Sequence, residues 1–109
     1  MTAYVIFFVD EISDASRLEQ YKQAAHPTLK RAGGSVAIAY GRQEVLEGAP
    51  LAGVVMVEFP TFEAAQAWYH SAEYQKAAEL RTIAARARAV IVEGLPRASQ
   101  PPAEVHTEG

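Results

Sequence analysis

The stretch "GVVMVEFPTFEAAQAWYHSAEYQ", residues 53–75, shows how the chain alternates between strand and helix. Its first seven residues are mostly apolar and β-branched, which predicts a β-strand. Pro60 and Thr61 stop this strand, and the Thr61 hydroxyl can cap a helix. Apolar residues then recur at helical spacing, and Ser71 is a second candidate cap. We therefore predict a strand and two short helices, over 53–59, 62–70 and 72–85.

The rest of the chain supplies three more strands and one more helix. "AYVIFFV", "SVAIAY" and "ARAVIVEG" are rich in β-branched and aromatic residues and predict strands over 3–9, 35–40 and 87–94. Between the first two strands, apolar residues recur every three or four positions, which predicts a helix. Gly33 and Gly34 should end this helix. Pro27 should kink it or force a fresh start.

The resulting order, β-α-β-β-α-β, predicts an α+β fold. It corresponds to the ferredoxin-like arrangement, in which a four-stranded antiparallel sheet carries both helices on one face. Residues 41–53 are a loop bounded by Gly and Pro, with 44–46 as a candidate short strand. Residues 1–95 should form one domain. Residues 96–109 hold three prolines and few apolar residues, so we expect a flexible C-terminal tail.

The predicted strands are apolar on both faces. Residues 4–9 and 54–57 lack the alternation expected of a sheet with one face in water. Two helices can cover only one face, which leaves roughly 350 Å² of apolar surface on the other. Patches of this size are seldom exposed. We therefore expect a homodimer in which a second copy covers this face and the two sheets enclose a barrel-like interior.

Composition excludes several classes of function. The chain has 109 residues, half of them hydrophobic, and a net charge of -3. This charge gives no basic surface for a nucleic-acid partner. The absence of cysteine excludes disulfides and thiolate chemistry. The longest early apolar run, 3–9, is too short to cross a bilayer, so we expect a cytoplasmic protein with no membrane partner.

Four segments of the chain resemble a known family. They are "EQYKQAAHPTLKRAGG" (19–34), "RQEVLEG" (42–48), "VEFPTFEAAQAWYHSAEYQKAAELR" (57–81) and "VIVEG" (90–94). Together they resemble the domain of unknown function 1330 family, within the dimeric α/β-barrel superfamily. The resemblance implies a ferredoxin-like fold and a dimer, and it brings no function. Related barrels include cofactor-independent monooxygenases, lactone isomerases, dehydratases and haem enzymes, which is an analogy of fold alone.

Glu58 is the first candidate for chemistry. Strand alternation places it on the opposite face from the more apolar set of its neighbours. If that apolar set packs under the helices, Glu58 points into the dimer interior, where it could act as a general base. The alternative is a solvated carboxylate, or an ion pair with Arg42 or Arg81.

His26, Arg42 and Glu44 are further candidates. His26 lies beside the expected kink and could act as a base, although an exposed or satisfied histidine is an ordinary outcome there. Arg42 could hold a substrate carboxylate and Glu44 could hold a proton, since residues two apart in an extended segment share a face. Alternatively, Arg42 and Glu44 are charges that protect a sheet edge from further pairing.

Aromatic residues complete the candidate set. Tyr21 and Trp68 could contact a substrate, although aromatics at helical spacing against a sheet are also ordinary core. Tyr74 and Arg81 are seven residues apart and so share one side of a helix. No pair of histidines has the spacing of metal ligands, and no glycine-rich phosphate loop follows a strand, so we expect neither a metal nor a cofactor.

Two classes of function are compatible with these residues. In the first, a homodimer holds a small organic ligand in a barrel pocket. It could then be a cofactor-independent enzyme, monooxygenase-like or isomerase-like, with Glu58 or His26 as base and Arg42 as anion anchor. In the second, the protein is a non-catalytic binding or assembly module with a filled interior. An open cavity with convergent polar groups distinguishes the first class from the second.

Overall fold

The computed structural model of the chain describes residues 1–96, so the tail predicted over 96–109 lies almost entirely outside the described residues. The elements follow the predicted order, with the second helix in two pieces. They are β1 (Ala3–Ile12), α1 (Ala15–Arg31), β2 (Ser35–Ala39), β3 (Gly53–Phe59), α2 (Phe62–Tyr69), α3 (Ala72–Ala84) and β4 (Ala85–Glu93).

The four strands form one antiparallel sheet in the order β2-β3-β1-β4. The helices lie on one face of this sheet, where they bury side chains of β1 and β3 in a single core. Val5, Phe59 and Tyr74 are the largest side chains that are fully buried there. The predicted ferredoxin-like fold is therefore confirmed.

The central strand β1 sorts its side chains between the two faces of the sheet. Residues 3, 5, 7 and 9 are buried under the helices, and the residues between them point the other way. Ile6 is paired with Met56 of β3 and with Val90 of β4, and Met56 is paired with Ile38 of β2. Directly paired residues share a face. A row of four apolar side chains therefore crosses the side of the sheet away from the helices, which we call the open face.

The helices begin at side-chain caps. Asp14, Thr61 and Ser71 each accept a hydrogen bond from the backbone N–H three residues later, at 3.0, 3.0 and 3.2 Å. These bonds satisfy N–H groups that have no partner inside the helix. The caps predicted at Thr61 and Ser71 are confirmed, and the second cap is what separates α2 from α3.

β1 is three residues longer than predicted. Asp10 and Glu11, which lie beyond the predicted strand 3–9, form ion pairs with Arg88 and Arg86 of β4, at 3.1 and 2.7 Å. A register shift after Val9 accommodates this extension. The charges therefore lie on the strand itself, where cross-strand partners neutralise them.

Two other local expectations differ from the structure. α1 runs from Ala15 to Arg31 without interruption, so Pro27 forces no fresh start. Pro27 is exposed. The candidate strand at 44–46 is absent, and residues 41–52 contain no helix or strand.

The end of α1 fits closely against β3. Gly33 has φ +83°, which glycine adopts without steric cost, and the N–H groups of Gly33 and Gly34 donate to the carbonyls of Lys30 and Leu29. A Cβ at position 34 would lie 2.5 Å from Leu29 Cδ1 and 2.8 Å from the Phe59 ring. Position 34 therefore has no room for a side chain.

We expect Gly34→Ala to lower the free energy of unfolding by about 1–3 kcal/mol, because the added methyl must displace two buried side chains. Gly41→Ala is the matched control, since a Cβ at position 41 has no atom within 4 Å. Urea unfolding followed by circular dichroism measures both variants. Equal midpoints for the two would contradict the close packing of α1 on β3.

Candidate ligand-binding cleft

A cleft opens between α1 and the β2 edge of the sheet, on the helix-covered side. It lies where α1 packs mainly against α3, with the end of α1 resting on β3. Its volume is about 710 Å³. Its mouth carries Glu19, Lys22 and His26 of α1. Its interior is mainly apolar and includes Phe7, Tyr21, Leu29, Tyr40, Val57 and Trp68.

Tyr40 forms one wall of the cleft in a strained conformation. Its φ is 55°, a left-handed value that no other non-glycine residue among 1–96 adopts and that costs about 1–3 kcal/mol. The Tyr40 ring lies on Gly53, where any Cβ would collide with it. Lys22 Nζ lies 4.8 Å from the centre of the ring, a distance at which a cation and an aromatic face attract. The contacts of its ring with Gly53 and Lys22 therefore hold Tyr40 at the cleft in this strained conformation.

Trp68 forms another wall and is held by a relay of hydrogen bonds. Its indole N–H donates to the Thr28 hydroxyl at 3.0 Å, and that hydroxyl donates to the Ala25 carbonyl at 2.7 Å. Trp68 and Thr28 are both buried. The relay satisfies both groups and joins α2 to α1.

Tyr21, Tyr74 and Arg81 meet beneath the cleft, where α1 packs on α3. The hydroxyls of Tyr21 and Tyr74 lie 2.9 Å apart and share a hydrogen bond. Arg81 Cζ lies 5.0 Å from the centre of the Phe7 ring and 5.9 Å from that of Tyr21. Only 9% of Arg81 is exposed, and its Nε has no hydrogen-bond partner among residues 1–96. A buried guanidinium thus adjoins two residues that line the cleft.

Burial keeps the tyrosines of this group protonated. It raises the pKa of Tyr21 far above its ordinary value, and the neighbouring Tyr74 hydroxyl adds to the effect. It also raises the pKa of Tyr74 and of Tyr40, although the charge of Arg81 opposes both shifts. The hydroxyls are therefore neutral hydrogen-bonding groups at every physiological pH. Arg81 is the charged member of the group.

The structure brings three of the predicted site residues together. Tyr21 and Trp68 line the cleft, and the exposed His26 lies at its mouth. Arg42 and Glu44 are exposed in the loop that follows β2 and do not line this cleft.

Glu58 lies on the other side of the sheet from the cleft. It is paired with Tyr4 of β1 and with Ser35 of β2, on the open face, while its neighbours Val57 and Phe59 are buried under the helices. The orientation inferred from strand alternation is thus the one that the strand adopts. Glu58 forms no ion pair with another residue among 1–96. Within one subunit, Glu58 and His26 cannot act on the same bound molecule.

Sequence reasoning did not include Arg81 among the site residues. One signal was present, since the spacing of Tyr74 and Arg81 placed them on one side of a helix. The missing information was Tyr21, whose hydroxyl contacts Tyr74 across 53 positions of sequence. Nothing in the local pattern indicates that long-range contact.

The family of the chain follows from a comparison with protein-family models. Residues 2–95 match the model described as "Domain of unknown function (DUF1330)". The chain belongs to the DUF1330 family. A comparison with curated proteins finds no match.

Solved structures similar to this DUF1330 protein share its fold at low sequence identity. RPA0582 from Rhodopseudomonas palustris, a protein of unknown function, is 20% identical with a TM-score of 0.70, over 88% of this chain and 84% of that one. A dimeric protein of unknown function from Bacteroides fragilis, described as ferredoxin-like, is 9% identical with a TM-score of 0.55, over 85% and 96%. SnoaB from Streptomyces nogalater, a cofactor-independent oxygenase, is 8% identical with a TM-score of 0.54, over 91% and 97%.

Two further features of this DUF1330 protein concern other kinds of site. Among residues 1–96, no three acidic or histidine side chains converge closely enough to hold a metal ion. No helix in this part of the chain is long and apolar enough to cross a membrane.

We expect Arg81→Met to leave the free energy of unfolding unchanged or to raise it by about 1–2 kcal/mol, since it replaces a buried charge that has no acidic partner among residues 1–96 by an apolar chain of similar length. Thr28→Val is the comparison. It should lower the free energy of unfolding by about 1–3 kcal/mol, because the buried Trp68 N–H loses its acceptor. Denaturant unfolding measures both, and a loss in Arg81→Met as large as that in Thr28→Val would show that Arg81 is chiefly structural.

Proposed function

We propose that this protein binds a small, largely apolar organic molecule in the cleft between α1 and the edge of the sheet. The observation that carries the proposal is the cleft itself, with its volume of about 710 Å³ and its mainly aromatic and aliphatic walls. Sites for small organic ligands have volumes of about 300–1,000 Å³ and such walls, with a few polar groups that fix orientation. Here the polar groups are the side chains of Glu19 and Lys22 at the mouth and the Tyr21 hydroxyl deeper in the cleft.

The open cleft favours the ligand-binding hypothesis over a module with a filled interior. A large apolar concavity exposed to water is unfavourable unless something occupies it. The cofactor-independent oxygenase SnoaB has a similar fold, so small-molecule chemistry occurs on this fold. The analogy is one of fold alone.

We propose binding rather than catalysis as the function. The two residues suggested as bases lie apart, since His26 is at the mouth of the cleft and Glu58 is on the open face. A general base is normally oriented by a second group. Within residues 1–96, neither His26 nor Glu58 has an ion-pair partner that could serve in this way.

Blocking the cleft tests this proposal. Trp68 is the only tryptophan of the sequence and lines the cleft, so its fluorescence reports occupancy. A fragment library screened against the protein should yield compounds that change Trp68 emission and raise the melting temperature. Gln23→Phe, in the lining, should weaken their binding about tenfold or more. Gln20→Phe, one turn earlier and outside the lining, should leave their binding unchanged.

Two results would contradict the proposed function. One is a screen in which no compound produces a saturable change in Trp68 emission. The other is binding that responds equally to the two phenylalanine variants, because that would place the bound compound elsewhere.

We further propose that the protein acts as a homodimer joined through its open face. The apolar row Ile38, Met56, Ile6 and Val90 crosses this face, and Ile38 and Val90 remain 40% and 43% exposed in the single chain. A second copy placed face to face would remove this surface from water. The B. fragilis protein of similar fold is described as dimeric, which supports self-association here.

Light scattering coupled to size exclusion tests the dimer. The expected mass at micromolar concentration is twice the 11.8 kDa of the chain. Val90→Lys should shift the protein toward the monomer, because the interface would bury an ammonium group without a partner. Ile83→Lys, at an exposed position of α3, is the matched control and should leave the mass unchanged. A wild-type monomer, or a dimer lost in Ile83→Lys alone, would overturn this assembly.

A further inference from the structure

We infer that the molecule bound in the cleft is an organic anion whose acidic group pairs with Arg81. The inference rests on the proposed function, since it assigns a chemical class to the ligand of that same cleft. The acidic group of this ligand would contact Arg81, and its apolar body would contact Phe7 and the neighbouring residues of the cleft.

Arg81 is buried and has no acidic partner among residues 1–96, whereas the arginines that form ion pairs are exposed. Arg17, Arg31, Arg86 and Arg88 are all exposed, and each has a carboxylate within 4 Å. Arg81 is 9% exposed and has no such carboxylate among residues 1–96. A buried arginine normally has an acidic partner, because removing the charge from water without one is strongly unfavourable. We therefore assign the acidic partner of Arg81 to a bound ligand and not to residues 1–96.

The groups around Arg81 are suited to an anion. A guanidinium always carries its charge and presents its donors in a planar fork that matches a carboxylate. Its Nε has no partner and is available as one of those donors. In the Tyr21–Tyr74 pair, one hydroxyl donates to the other, so one O–H of the pair can donate elsewhere. Arginine and tyrosine together supply a positive charge and an additional donor.

The position of Arg81 directs this anion toward the cleft. Its guanidinium lies against the rings of Phe7 and Tyr21, and both residues line the cleft. A ligand seated on these rings would have its apolar body in the cleft and its acidic end at the guanidinium. Lys22 lies at the mouth over the Tyr40 ring, where Glu19 at 3.9 Å offsets its charge.

The lining of the cleft does not include Arg81, which instead lines a second depression opposite the cleft, beside β4. This depression has a volume of about 480 Å³ and is lined by Glu11 and Arg86, among others. Those two side chains neutralise each other at 2.7 Å. Lys22 and Glu19 of the cleft form a similar pair at 3.9 Å, so neither cavity adds a net positive charge. The cleft is favoured because its lining is mainly apolar and can hold the apolar body of the ligand, whereas most side chains that line the depression are polar.

The test compares carboxylic acids with their neutral amides. The probes are benzoate, 2-naphthoate and biphenyl-4-carboxylate, each paired with the amide of the same ring system. Dissociation constants are measured at pH 7 by calorimetry or by NMR titration. For at least one pair, the acid should bind the wild-type protein about tenfold or more tightly than the amide, as expected for a charge-assisted hydrogen bond in a desolvated site.

Variants assign the preference to Arg81. Arg81→Met should remove the preference for the acid while leaving the affinity for the amide within about twofold. Arg81→Lys keeps the charge without the fork and should retain part of the preference. Arg86→Met is the matched control and should retain all of it, because Arg86 lines only the opposite depression.

The outcomes separate this inference from the proposed function. Equal binding of acids and amides to the wild-type protein would overturn the inference and leave the cleft as a site for neutral molecules. A preference that survives Arg81→Met, or that is lost in Arg86→Met, would also overturn it. If no probe binds and the fragment screen is also negative, the proposed function fails, and the inference fails with it.

Discussion

The structure depends on the central strand β1, whose side chains are apolar in both directions. Three helices cover one face of the sheet, so β1 contributes Phe7 to the covered side and Ile6 to the open side. On the covered side, Phe7 lines the cleft and its ring contacts the Arg81 guanidinium. On the open side, Ile6 is the middle of an apolar row. Both candidate binding surfaces thus originate in one strand with alternating orientation.

The cleft lies beneath α1, which packs mainly on the other helices and contacts β3 at its end. The Tyr21–Tyr74 hydroxyl pair joins α1 to α3, and the Trp68–Thr28 hydrogen bond joins α2 to α1. These two bonds are neighbours, since the Trp68 and Tyr74 rings lie 4.1 Å apart, and together they fix α1 against the other helices. The space that remains beneath α1 is the cleft.

Much of the fold was predictable, because its signals are local. Caps at Thr61 and Ser71 and the glycine stop after α1 depend on residues a few positions apart, and strand alternation alone oriented Glu58. The site was less predictable, because its contacts are long-range. Tyr21 and Trp68 were recognised as aromatic candidates, whereas the location of the cleft depends on α1 packing against α3. The same limit applies to β1, which was predicted too short because the partners of its terminal charges lie in β4.

The alternation of β1 has a consequence for how this family can vary. Substitutions at odd-numbered positions of its first seven residues alter the cleft side, and those at even-numbered positions alter the open face, so the two surfaces can diverge independently. Insertions behave differently, because one added residue within the strand would exchange the two sets of side chains. Changes of length are therefore expected in the exposed loop 41–52, where no strand register depends on the number of residues.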